Sequence, residues 1–146
     1  MTKTTQPTSG NFLQYTEVFV WGEDKSGQLG IDSQLRLLSD PSARRPDFIT
    51  VPRSCSFNIV INQIACGQNH SAIVTSQGHL YMMGSNSRGQ LGIQSVGPKN
   101  YPGLTPQEAE EEKTKAGSPC LVESLKSMRV LQVSCGSDFT MVIVKP

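Results

Sequence analysis

The chain has 146 residues, of which 36% are hydrophobic and 17% charged, the make-up of one ordinary globular unit with a modest core. Its 13 Lys and Arg against 12 Asp and Glu leave a formal charge of +1, which excludes the broad basic field that nucleic acid or an anionic membrane surface would call for. The four cysteines, Cys55, Cys66, Cys120 and Cys135, form no CxxC pair and have no histidine at zinc-ligand spacing, so neither a metal nor another cofactor is expected.

Residues 1–15 are polar, with Lys3 their one basic side chain, and lack the apolar centre of a secretory signal. A flexible leader is expected there. No later apolar run reaches membrane-spanning length. The expectation is an intracellular protein, cytoplasmic or nuclear, with reduced thiols, in which Cys66 and Cys135 act as small buried hydrophobes.

The first element is a short apolar strand at residues 17–21, EVFVW, running into WGEDKSGQLG at 21–30. Residues 35–52 follow as a loop, since Pro41, Pro46 and Pro52 argue against helix or central strand. Arg44 and Arg45 on that loop offer a cationic pair to an acidic partner. Strands are then predicted at 59–65, 71–75 and 80–83, joined by CGQNH and SQGH turns into an antiparallel meander.

The last of these strands opens a repeat. MGSNSRGQLG at 83–92 lies over WGEDKSGQLG with an offset of 62 residues, and LQVSCG at 131–136 lies over NQIACG at 62–67 with an offset of 69. Two matches in the same order divide residues 16–146 into units of about 17–78 and 79–146, the second longer by an insertion. In each GQLG segment the glycines should bracket a sharp reversal. Leu29 and Leu91 would enter the core, while Gln28 and Gln90, with Asp24 or Asn86, would bind loop backbone.

The insertion, residues 95–118, is polar and carries helix punctuation. Thr105 caps, Pro106 takes the first helical position, Glu108 completes a capping box, Lys113 and Lys115 fall late and Gly117 terminates. A surface helix without an apolar face is predicted, with Glu110, Glu111 and Glu112 as an acidic contact for a partner. Beyond it come strands at 130–134 and 140–144 around the turn CGSDF, and the third strand of this second meander has no counterpart.

The element W-G-x-[ND]-x-x-G-Q-L-G, then a proline-containing loop, then V-x-x-[VI]-x-C-G-x-x-H, resembles the repeat of the regulator of chromosome condensation family, over roughly residues 17–144. The resemblance implies a β-propeller of four-stranded blades, usually seven, closed by strands from different repeats. The expected fold class is therefore all-β: antiparallel meanders forming about two blades of a partial propeller, with a short helical surface insertion. The signature positions are Trp21, Gly22, Gly27, Gln28, Leu29, Gly30, Cys66, Gly67 and His70 in the first unit. In the second they are Gly84, Gly89, Gln90, Leu91, Gly92, Cys135 and Gly136. Trp21 becomes Met83 and His70 becomes Phe139 on passing from one unit to the other, so these positions are expected to serve packing and turns.

No catalytic constellation emerges. Cys66 and His70 are the one close Cys/His pair, no third residue orients the imidazole, and neither GxxxxGK[ST] nor GxGxxG occurs. The expected function is a non-catalytic protein-binding scaffold, with guanine-nucleotide exchange on a small GTPase as the alternative and chromatin association third. The last suffers from the lack of a basic arm. Two repeats cannot close a ring, and open sheet edges invite pairing. The remaining blades are therefore expected from a longer polypeptide, of which this would be the N-terminal part, from a partner, or from self-association.

Overall fold

The computed structural model describes residues 16–32, 46–57, 59–94 and 104–146. Among the described residues eight strands form in chain order: β1 (Glu17–Glu23), β2 (Phe48–Ser56), β3 (Ile61–Cys66), β4 (His70–Thr75), β5 (Leu80–Ser85), β6 (Lys115–Leu121), β7 (Arg129–Cys135) and β8 (Thr140–Lys145). One helix, α1 (Pro106–Glu112), lies between β5 and β6. The alternation of half-buried and exposed side chains along β1, β3 and β8 is the period of a strand with one face turned to a core.

The strands group as an antiparallel pair β1-β2, an antiparallel sheet β3-β4-β5-β6 and an antiparallel pair β7-β8. Because the sequence repeat equates β1 with β5 and β3 with β7, the three sheets are successive parts of one pattern. The middle sheet is a whole four-stranded blade. The first pair is the third and fourth strands of a preceding blade, and the last pair the first and second strands of a following one.

The larger core lies between the middle blade and β7-β8, where Ala72, Val74, Leu80, Met82 and Leu91 meet Val130 and Val133. Each such side chain contributes about 1.5–3 kcal/mol on burial. A smaller cluster of Ile31, Ile49 and Cys55, with Val20 and Leu29 against it, holds the first pair. Gln63 ties the middle blade to the next: its amide donates to the Val133 carbonyl and accepts from the Val133 amide, each at 3.1 Å. The side chain stands in for a strand backbone.

Two sequence expectations need correction. Residues 48–52 are strand, not loop, and Pro52 sits inside β2. It is accommodated because β2 pairs on one side only and its register against β1 shifts between Val20 and Gly22, an edge and bulge setting that needs no proline N–H. Gly117 does not end the helix but is buried within β6. The helix stops earlier, at C-cap Lys113, where the Thr114 hydroxyl and amide both donate to the Glu111 carbonyl. Asn86 then donates to the Thr114 carbonyl, and pairing of Ser85 with Lys115 starts the fourth strand. The expected leader, and residues 35–45 with Arg44 and Arg45, lie outside the described residues, as do residues 95–103 of the insertion.

Candidate functional site

In an antiparallel meander alternate connections gather at one end. The CG turns after β3 and β7 therefore share an end of the molecule with the GQLG turns and with α1 on the β5-β6 connection. The contacts agree, since Ser85 donates to the Asn69 carbonyl and Ser137 to the Gln68 amide oxygen. This loop end is the candidate functional surface.

The two GQLG turns are built alike. Gly27 and Gly30 have φ of 78° and 69°, Gly89 and Gly92 of 77° and 64°, backbone that a Cβ would strain. Asp24 accepts from the Leu29 amide at 2.9 Å and Asn86 from the Leu91 amide at 3.0 Å. Gln28 accepts from the Ser26 amide and Gln90 from the Arg88 amide, at 3.0 and 2.8 Å. These polar groups satisfy the backbone of their own turns, as a tight reversal requires. Gly22 and Gly84, with φ of 106° and 105°, mark the register shifts of β1 and β5.

The CG turn is defined by close approach. A Cβ on Gly67 would stand 2.2 Å from His70 Cε1 and 2.5 Å from the Gly136 carbonyl oxygen, so the turns of neighbouring blades touch through bare backbone. His70 is wholly buried, and its Nε2 lies 3.0 Å from the Thr140 hydroxyl, which donates to the Gln90 carbonyl at 2.7 Å. With that one proton committed, Nε2 must be the protonated nitrogen. Nδ1 has no partner of hydrogen-bond geometry. Burial pushes the imidazole below its ordinary pKa, against smaller upward pulls from the Phe139 backbone and Asp138. Burial pushes the Cys55 and Cys135 thiols up.

Four positions of the repeat depart from their expected surroundings. Trp21 is 59% exposed although its counterpart Met83 is buried, and Phe139 is 58% exposed although His70 is fully buried. Cys66 is exposed rather than buried, and Cys135 is half-buried. Trp21, Cys66 and Phe139 lie at edges that no further strand covers among the described residues, whereas Cys135 packs against the larger core. Two clefts lie at those edges. One, of about 180 Å³, runs between β1 and the β3-β4 face of the middle blade, lined by Phe19, Trp21, Ile64 and Ile73 among others. The other, of about 280 Å³, lies between β8 and the Gly89–Gly92 turn, floored by Leu80, Met82, Val122 and Leu125. Nothing in the sequence marked these clefts, because they arise from edges and not from a motif.

The helix α1 is capped as predicted, with Thr105 accepting from the Glu108 amide and Glu108 from the Thr105 amide, and none of its residues is buried. Its acidic run is partly spent: Glu110 pairs with Lys113, and Glu112 with Lys115 at 3.7 Å. Among the described residues no group of His, Cys, Asp and Glu could hold a metal ion, and no helix is long and apolar enough to cross a membrane.

Comparison with known proteins agrees with this architecture. The pattern described as the regulator of chromosome condensation (RCC1) repeat matches residues 17–74 and 77–143. The chain is 31% identical over 128 residues to the bovine secretion-regulating guanine nucleotide exchange factor, covering 88% of this chain and 22% of that protein. It is 27% identical over 130 residues to the human probable E3 ubiquitin-protein ligase HERC4, covering 89% of this chain and 10% of the ligase. The chain thus spans about a fifth of the length of the first of these relatives and a tenth of the second. Among solved structures, yeast RCC1 (Prp20) bound to Kap60 superposes with a TM-score of 0.62 at 21% identity, over 87% of this chain and 26% of that one. Human WBSCR16 gives 0.59 at 22% identity, over 86% and 26%. The chain belongs to the regulator of chromosome condensation (RCC1) repeat family and forms blades of its β-propeller.

Proposed function

We propose that the chain is a non-catalytic protein-interaction module that meets its partner through the loop end of the blades. The observation that carries this reading is the self-sufficiency of the signature. Asp24, Gln28, Asn86, Gln90 and the His70–Thr140 pair bind backbone or one another, which leaves the non-repeated connections to present chemistry outward. Surface connections on a rigid scaffold are where binding residues concentrate. A photo-crosslinking residue at Gln107, on the loop end, should yield adducts with other proteins, while one at Ser76, on the β4-β5 turn at the opposite end, should not. Equal adducts from both ends would remove the reading.

A second reading is regulation of a small GTPase, favoured by the similarity to a guanine nucleotide exchange factor. Acceleration of fluorescent-nucleotide release across a panel of small GTPases would support it, and no acceleration would dismiss it. Chromatin association ranks third, because the formal charge of +1 provides little electrostatic attraction to DNA. Free cysteines fit a reducing compartment, cytoplasm or nucleus, for either role.

A further inference from the structure

We infer that Thr105 is a phosphorylation site for a proline-directed protein kinase, and that its phosphate opens the capping box of α1. This goes beyond the interaction-module reading and holds whatever the loop end binds.

The chain has 9 prolines, and two of them follow a hydroxyl side chain, in Thr105-Pro106 and Ser118-Pro119. A proline-directed kinase takes such a dipeptide in extended form, and the structure separates the two. Ser118 is half-buried inside β6, which pairs with β5 on either side of it, through Gly84↔Ala116 and Met82↔Cys120. Presenting it would mean unzipping the fourth strand of a blade, with its buried Ala116. Thr105 and Pro106 are exposed on the β5-β6 connection. Thr105 stands at φ −67° and ψ 158°, the extended backbone that a following proline favours.

A kinase also needs the residues after the hydroxyl to leave the helix, and α1 offers little resistance. It has 7 residues, no buried side chain and no basic residue in its last turn. A helix of that length is marginal without tertiary packing, and its opening belongs to the low-energy end of native motion. In the opened form Thr105 Oγ attacks the γ-phosphorus of ATP. The bond from that phosphorus to the bridging oxygen breaks, ADP leaves, and the hydroxyl proton passes to the kinase's carboxylate base.

Phosphorylation reverses the electrostatics of the cap. In the unmodified chain Glu108 Oε2 accepts from the Thr105 amide and from the Thr105 hydroxyl, each at 2.9 Å, while the Glu108 amide donates to Thr105 Oγ at 3.3 Å. Esterification removes the O–H that donates and sets a group of about −1.5 to −2 charge against that carboxylate. The helix N-terminus supplies only about half a positive charge, whereas Glu108 alone carries a full negative one at hydrogen-bond distance, and Glu110, Glu111 and Glu112 follow on the same short helix. Repulsion therefore expels Glu108, and α1 loses the contact that starts it. The formal charge of the chain passes from +1 to about −1, with the whole change on one connection.

The folded 146-residue chain, incubated with Mg-ATP and a proline-directed kinase of the mitogen-activated class, should take up phosphate at Thr105 and not at Ser118, as located by tandem mass spectrometry. Thr105→Val and Pro106→Ala, at exposed positions that leave the blade intact, should each abolish that uptake, with folding checked by far-ultraviolet circular dichroism. In nuclear magnetic resonance spectra the Cα shifts of residues 106–112 should move from helical toward random-coil values on phosphorylation. Glu108→Gln keeps an acceptor for the Thr105 amide without the charge, so phosphorylation of that variant should leave the shifts helical. Unmodified Thr105 in the folded wild type, uptake at Ser118 in its place, or undiminished uptake by Pro106→Ala would overturn the site. Helical shifts kept by the phosphorylated wild type, or lost equally by phosphorylated Glu108→Gln, would overturn the opening of the cap.

Discussion

Thr140→Val isolates the relay that joins three turns of neighbouring blades. The substitution keeps the shape of the side chain and removes its oxygen, so it opens no appreciable cavity. Two groups lose their partner: the Nε2–H of a fully buried imidazole, 3.0 Å away, and the Gln90 carbonyl, 2.7 Å away. Each unsatisfied buried group costs about 1–3 kcal/mol. Thr140 itself is half-buried, so water can reach part of the gap and the lower half of the combined range applies, about 2–4 kcal/mol. Against a whole-domain stability of about 5–15 kcal/mol this is a large shift. Urea unfolding followed by far-ultraviolet circular dichroism should show it as a lower midpoint at unchanged slope. Thr140→Ser, which keeps the hydroxyl, should lose about 1 kcal/mol or less. A Thr140→Val midpoint equal to that of the wild type would refute the relay as a structural tie.

The same imidazole sets a pH dependence. Its folded pKa lies below the ordinary value of 6.5, so as pH falls through 6.5 the unfolded chain takes up a proton that the folded chain refuses. Stability should be level above that pH with respect to this group and decline below it, and His70→Gln should flatten the decline. Gly67→Ala places a Cβ 2.5 Å from the Gly136 carbonyl oxygen, backbone that cannot turn aside, and should cost at least about 2 kcal/mol in thermal unfolding. Asn86→Asp reproduces the first repeat and keeps the acceptor for the Leu91 amide, but loses the 3.1 Å donation to the Ile93 carbonyl, for about 1 kcal/mol by the same assay. Alanine at Glu110, Glu111 and Glu112 together should alter stability by less than about 1 kcal/mol, because the ion pairs they form are at or near the surface. Partner affinity, measured separately, then reads their functional share.

Local rules were legible where residues act on their near neighbours. The GQLG turns could be read because positive φ demands glycine, and reversed backbone demands an acceptor within a few residues, which Asp24, Asn86, Gln28 and Gln90 supply. The capping box of α1 is equally local. What eluded the sequence was set by pairing at a distance. Lys115–Leu121 carries a glycine and a proline, Gly117 and Pro119, and becomes strand because β5 offers it an edge. Pro52 in β2 and Pro119 in β6, at matching places in the two units, were the one signal that could have found both fourth strands. Trp21 and Phe139 could be assigned to packing positions, but their exposure depends on blades that these described residues do not supply.

The two repeats act as an internal control on where specificity can reside. Residues retained between units, the four GQLG glycines and the two CG turns, are those whose replacement would strain backbone or bring neighbouring turns into collision. Residues that change, Trp21 to Met83 and His70 to Phe139, tolerate it because they fill space whose shape the adjoining blade decides. Both classes answer to backbone or packing demands within the propeller. The β5-β6 connection is different: α1 is held by its own cap and by ion pairs to Lys113 and Lys115, with no buried residue of its own. It can change length and charge without disturbing the blade beneath it, and a scaffold that isolates one connection in this way leaves selection free to act there.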